Sequence, residues 1–534
     1  MRVRIESSFI AKVAAAAALV ALGDWLFWDI DGVGSTLGVF AIAWTVATVL
    51  LTLGAWRRLG AMVAGAVALL IGAILFDDPG LLAVLLFGWA LATVVLLPRV
   101  RFDHVGRWAL RILVFCFAGL IGPWADLIRI GRLARTANQG AKLRGWLPLL
   151  PLPLIGGAVF LTLFASANPL IGDTLARIGL PSFDITTFFR VLFWGLLFTF
   201  VWATLRPRRI QPTFAEAQSE VGLDLPGIST GSVTLALITF NALFALENLL
   251  DLAFLWTGAP LPKGVSLASY AHQGAYPLIA TALLAGLFVL VALRPGSDTA
   301  RVPLIRRLVI AWVAQNVFLV ASSILRTVDY IQVYQLTELR IAALIWMALV
   351  AVGLVLIVWR MLAAKSGAWL INANALAAGF VLLICSAVDL GSVAATWNVR
   401  HAKEAGGQGQ ALDLCYLNQL NSSALVALVE MEQRPNLPPD FAQRLAWVRH
   451  HTLQQTRIRL ATGWTWRNQR RMEQLAAMLG GRKLPAPPDP GQYGRNCDGS
   501  LVTGPAPDRE ATDAANEAAA NASAPAPLTN AASR

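Results

Sequence analysis

The sequence predicts an all-α, polytopic transmembrane bundle of about eleven spans, with twelve as the alternative, followed by a small C-terminal helical domain and a disordered tail. Three observations predict it. Of the 534 residues 57% are hydrophobic and only 14% charged, whereas about a quarter of a soluble domain is charged. Apolar runs long enough to cross a hydrocarbon core of about 30 Å as helices recur along the chain. The alternating pattern of a membrane β-barrel is absent, so backbone amides in lipid must be satisfied inside helices.

Taken in order, residues 1–98 read as a four-span region, with spans at 9–28, 34–54, 60–76 and 80–97. Gly34-x-x-x-Gly38 is a spacing that lets two helices approach closely. Residues 99–146 read as a basic cytoplasmic or interfacial segment. Within it, 108–124 is apolar, but Arg111 lies inside it, Gly122-Pro123 interrupts it, and basic stretches flank both ends. A true span would place one of those stretches outside, so the expectation is an interfacial or re-entrant element. The following "ADLIRIGRLARTANQGAKLRGW" is amphipathic and basic, suited to an anionic leaflet. Residues 147–392 read as the core bundle, with spans at 147–165, 187–205, 231–256, 275–293, 308–325, 340–359 and 369–391. The prolines of "LPLLPLPLIGG" predict an irregular start to the first of these.

The net charge of +12 raises the question of nucleic acid, and the positions of the basic residues argue against it. Arg2 and Arg4, Arg57 and Arg58, Arg99 to Arg144, Arg206 to Arg209, Arg294 to Arg307, and Arg360 with Lys365 fall in alternate loops. This asymmetry predicts that these loops and the N-terminus lie in the cytoplasm. Eleven spans then carry residues 393–484, an extramembrane helical domain, to the periplasm. Cys116 and Cys385 lie in apolar runs and read as packing residues, whereas Cys415 and Cys497 lie in the polar C-terminal region. A disulfide between those two fits an oxidising compartment; two free thiols in a cytosolic domain are the alternative. Residues 485–534 are rich in Pro and Ala and lack the apolar residues that offset ordering entropy, so they read as a disordered tail.

Charged groups in lipid cost about 2.5–3.5 kcal/mol each on insertion scales and call for a partner or a cavity. In "NALFALENLLDLAFLW", Asn241, Glu247, Asn248 and Asp251 share an arc of roughly 120° on one helix. In "ILRTVDYIQVYQLTELR", Arg326, Tyr330, Tyr334 and Thr337 form one stripe. Parity alone places both stretches at one membrane face. Glu247, Asp251, His272, Arg326, Asp329, Tyr330, Tyr334 and Arg340 are therefore expected to line a polar cavity at its outward mouth, with Arg326 and Arg340 as counter-charges for the carboxylates. The competing reading is that these pairs hold helices together and the tyrosines sit in the interfacial aromatic belt. No catalytic residue, metal site or cofactor motif is assigned; His450 and His451 read as solvated.

Four stretches carry a resemblance: "LPKGVSLASYAHQGAYPLIATALLAG", the Asn-Pro-Leu of "SANPLI", "RTVDYIQVYQLTELRIAALIWM" and "ALDLCYLNQLNSSALVALV". Over roughly residues 140–430 the chain resembles a bacterial family of polytopic membrane proteins known only as a domain of unknown function. The resemblance implies an integral inner-membrane protein and supplies no activity. Members of that family often carry Gly where Gln335 stands and Arg where Gln273 stands. The functional expectation is binding or transport of a small polar or lipid-derived ligand. The alternatives are a membrane-embedded envelope enzyme, with His272 or Glu247 as base, and a sensory or assembly scaffold whose C-terminal domain binds an envelope partner.

Overall fold

In a computed structural model, the described residues are 2–28, 32–52, 54–137, 185–207, 229–257, 302–407 and 409–504, with 157, 161, 164, 284 and 288 as single positions. The chain forms two compact units. The first comprises residues 1–390 and 457–472, and the second 391–456 and 473–534.

The first unit contains α1 (Arg2–Phe27), α2 (Thr36–Leu51), α3 (Leu59–Asp77), α4 (Leu81–Leu96), α5 (Val105–Ala137), α6 (Ile185–Leu205), α7 (Thr230–Asp251), α8 (Pro303–Tyr334), α9 (Glu338–Leu362) and α10 (Gly367–Ala387). Among the described residues eight helices are long and apolar enough to cross a membrane, and α2 and α4 are shorter apolar helices. This is a membrane protein built from helices. The expected spans 147–165 and 275–293 lie outside the described residues apart from single positions.

Glycine and alanine set the packing of α1–α4. A side chain at Gly38 would collide with the backbone of Phe76 on α3, and one at Gly72 would meet Ile42 on α2. The helices can approach this closely only because those positions carry no Cβ. Gly34 instead meets the backbone of Gly463 and Trp464. Ala41, Ala68, Ile71, Leu75, Phe87 and Leu91 fill the resulting interface. On its other side α2 packs with α1 and α6 around Phe40, Val201, Trp202 and Leu205.

The pairings order the helix ends. Phe27 meets Phe40 edge-on, Arg190 of α6 pairs with Asp24 at 2.6 Å, and Arg206 lies over Phe9. A side chain at Gly65 would touch both Val49 and Val94. The carboxyl ends of α2, α4 and α6 therefore share one face with the amino end of α1. We call it the near face. Asn372, close to the start of α10, accepts from Val105 N there, while Ala387 at its other end accepts from Arg467, which also binds Asp77 and Asp78. Asp77 and Asp78 thus mark the far face, to which α7 and α8 run in parallel.

Two expectations change here. The 108–124 stretch is not broken at Gly122-Pro123, because α5 continues through Pro123 to Ala137. A proline removes one backbone donor, and a helix with packed neighbours tolerates that loss. Residues 457–472 join the membrane unit rather than the C-terminal domain. Arg467 binds Asp77 at 2.7 Å and Asp78 at 3.1 Å, Arg470 pairs with Asp77, and Arg471 pairs with Asp389. Trp466 N donates to Ser35 Oγ at 2.9 Å.

The second unit contains most of α11 (Leu390–His401), then α12 (Leu414–Gln419), α13 (Leu425–Glu432), most of α14 (Pro439–Thr462) and the later part of α15 (Trp466–Leu479). Its core gathers Leu414, Leu417, Leu428, Met431, Leu445 and Val448. Buried Arg449 pairs with Glu432 at 2.8 Å, and burial pushes the Glu432 carboxyl up against that pairing. Cys415 and Cys497 form a disulfide with a Cα–Cα distance of 4.8 Å. Residues 485–504, placed by composition in the disordered tail, are folded onto this unit. Pro485 O accepts from Arg449, Asp498 pairs with Arg444, and Arg495 and Leu501 form an antiparallel bridge.

Candidate functional site

The α7–α8 contact changes character along its length. Toward the near face it is apolar and aromatic, with Leu237, Val309 and Val313 buried and Phe240 and Phe288 packed around Trp312. Toward the far face it becomes polar. Asn241 Nδ2 donates to Leu308 O at 3.1 Å, Gln315 Nε2 donates to Asn241 Oδ1 at 2.9 Å, and Asn248 Nδ2 reaches Gln315 O at 3.3 Å. Trp256, in the π-helical turn that ends α7, donates to Ser322 Oγ at 3.1 Å. Such bonds are worth about 0.6 kcal/mol each on average between membrane helices, so they orient more than they stabilise.

The seam ends in an ion cluster. Arg326 pairs with Asp251, and its guanidinium lies 3.8 Å from Glu247. Asp251 is 1% exposed and Arg326 7%, whereas Glu247 is 46% exposed. Among the described residues two carboxylates thus face one guanidinium, and the outer one, Glu247, is half-exposed. Near the seam, Asn248 Oδ1, Gln315 Oε1 and Asn316 Oδ1 are buried without a hydrogen-bond partner among the described residues. Buried amide oxygens are usually satisfied, so three together mark an unusually polar interface.

One turn beyond Arg326, Tyr330 and Tyr334 pack ring to ring with centroids 4.5 Å apart. Arg340 lies over Tyr330 at 4.5 Å and donates to the carbonyl oxygens of Tyr334 and Gln335. The last carbonyls of a helix lack intrahelical donors, and a cation is favourable at that end of the dipole. Arg340 therefore closes the α8–α9 turn, and among the described contacts it meets carbonyls and a ring instead of the carboxylates expected of it. The turn also places Gln335 at φ 66°, a conformation that glycine adopts freely. Thr337 caps α9 by accepting from Arg340 N at 3.3 Å.

Of the residues singled out by sequence, Glu247, Asp251 and Arg326 form one group and Tyr330, Tyr334 and Arg340 another, adjoining along α8. Asp329 is half-buried and makes no ion pair among the described residues. His272 and Gln273 lie outside the described residues. Sequence reading missed Gln315, Asn316, Ser322 and Ser323, although their spacing before Arg326 repeats the polar stripe of α8. Among the described residues no group of three or more His, Cys, Asp or Glu is placed to hold a metal ion. A second charged group, Asp77, Asp78 and Asp389 with Arg467, Arg470 and Arg471, occupies the far face elsewhere. Burial raises the Asp78 carboxyl, an effect that Arg467 and Arg471 oppose.

No curated protein and no solved structure matches the chain. A family profile described as "Domain of unknown function (DUF4153)" matches residues 63–431, from α3 through the Asp251–Arg326 cluster to α13. Because that match covers more than half of the sequence, the chain belongs to the DUF4153 family.

Proposed function

We propose that this is an inner-membrane protein that binds, and in one version transports, a small polar or lipid-derived ligand at the far face, beside Glu247, Asp251 and Arg326. The observation that carries this reading is the half-exposed Glu247 carboxylate beside the buried Asp251–Arg326 pair. The buried Asp251–Arg326 pair is a sufficient joint between two helices by itself, whereas Glu247, 46% exposed and 3.8 Å from the guanidinium, presents a carboxylate at the open side of the polar seam. An exposed carboxylate there favours a ligand bringing a positive or hydrogen-bond-donating group.

The far face is outward in this proposal. Arg57, Arg58, Arg99, Arg101, Arg206, Arg360 and Lys365 all belong to the near face, as a cytoplasmic surface requires. The Cys415–Cys497 disulfide supports a periplasmic C-terminal unit, which would bind an envelope partner.

The test is mass spectrometry of protein extracted from its own membranes. Wild-type protein should carry a small molecule or lipid that is lost from Glu247→Gln and from the neutral pair Asp251→Asn/Arg326→Gln. The same set of molecules on all three proteins, each well folded, would remove the proposal.

A further inference from the structure

Helix α5 is long and apolar enough over Val105–Pro123 to be a span, yet its contacts place it otherwise. At its start, Trp108 Nε1 donates to Thr93 Oγ1 at 3.2 Å, and Ile112 and Phe115 pack on Ala92, Val95 and Leu96. In its middle, a side chain at Gly119 would collide with Ala203. Further on, Asp126 accepts from Trp202 Nε1 at 3.1 Å and lies 3.5 Å from Arg206. Thr93, Leu96, Trp202, Ala203 and Arg206 all belong to the last turn or so of α4 and α6, at the near face. From Trp108 to Asp126 the helix axis covers about 27 Å, nearly the thickness of the hydrocarbon core. A span of that length would reach the far face, where Arg190 meets Asp24. Helix α5 returns to the face it started from.

The distribution of residues around α5 agrees. At about 100° per residue, Trp108, Ile112, Phe115, Gly119, Gly122 and Asp126 form the stripe that meets the bundle. Opposite lies an exposed apolar strip with Leu113, Phe117, Leu120 and Ile121, of which Phe117 is 69% exposed. Between them, Arg107, Arg111 and Arg129 share one flank within about 60°, where Asp103 pairs with Arg111 at 2.8 Å and with half-exposed Arg107 at 3.3 Å, and the other flank holds Val105, Ala109, Cys116 and Pro123. A helix with one basic flank and one apolar flank lies along an interface, its cations toward headgroups.

We propose that α5 is an in-plane helix embedded in the near-face leaflet, its exposed apolar strip against acyl chains and its arginine flank binding anionic phospholipid headgroups. The inference is independent of the ligand site proposed at the opposite face. Two measurements on full-length protein in lipid nanodiscs test it. The first attaches a fluorophore to Leu110→Cys or Ile121→Cys, with Cys116 and Cys385 replaced by Ser, and reads depth with quencher lipids. In-plane placement predicts equal depths within a few Å; a span predicts depths differing by about 16 Å, the axial rise over those residues, and would overturn the proposal. The second measures the lipids retained from mixed phosphatidylglycerol and phosphatidylcholine. Phosphatidylglycerol should be enriched, by about fivefold for each of Arg107 and Arg129, and the enrichment should fall in Arg107→Gln/Arg129→Gln. Equal depths with no enrichment would overturn the headgroup half.

Discussion

The α2–α3 contact and the α7–α8 contact join apolar rods by opposite means. At α2–α3, Gly38 and Gly72 bring backbones together and Ala41 and Ala68 fill the remainder, with no charge involved. At α7–α8 the far half is made of amides, a serine and an ion pair bordered by an extra carboxylate. Lipid chains are as apolar as leucine, so close packing alone can hold membrane helices, as α2–α3 does. The polar half of α7–α8 is therefore not required by lipid for assembly, and the proposed ligand site lies there.

The comparison can be broken most severely at Arg326. Arg326→Gln leaves buried Asp251 without its guanidinium and should cost about 3–5 kcal/mol, read as reduced accumulation and a lower unfolding temperature in detergent. The neutral pair Asp251→Asn/Arg326→Gln should recover most of that loss. Next comes Gly38→Val, which should force α2 away from α3 at a cost of about 1–3 kcal/mol or more, whereas the same change at exposed Gly88, which meets nothing, should cost little. Smaller still, Gln335→Gly relieves a left-handed backbone and should stabilise the α8–α9 turn by up to about 1 kcal/mol.

The smallest effect is one of sign. Hydrogen bonds from Ser500 hold the Asp498 carboxyl below its usual range, with Arg444 contributing, so the native state binds this proton less readily than the unfolded chain. Its stabilisation is present above the ordinary carboxylate value and is lost as pH falls through the lowered one. Asp78, raised by burial, behaves oppositely. Its penalty is present above the raised value and is relieved as pH falls through it. Unfolding of Asp498→Asn and Asp78→Asn across acidic pH should show slopes that change in opposite directions.

Much of the fold was legible because lipid imposes a simple rule on sequence. Apolar runs gave α1–α4 and α6–α10, and helical spacing gave the polar face of α7 with its partner Arg326. What stayed hidden depended on tertiary contact. Nothing local marks Arg467, Arg470 and Arg471 as partners of Asp77, Asp78 and Asp389, since a basic helix face reads equally well as solvated. Arg340 looked like a counter-charge because its role as a cap requires the turn at Gln335. Apolar length covers only 308–325 of α8, and the helix runs over Pro303–Tyr334, its last turns being the polar stripe of Arg326, Tyr330 and Tyr334.

The most direct test is the neutral pair Asp251→Asn/Arg326→Gln, followed for unfolding temperature and for complementation of a deletion strain. The account predicts stability near that of the wild type together with loss of complementation, because the charges serve a ligand more than the bundle. Full complementation at wild-type stability would contradict it and leave the cluster as one more joint between helices.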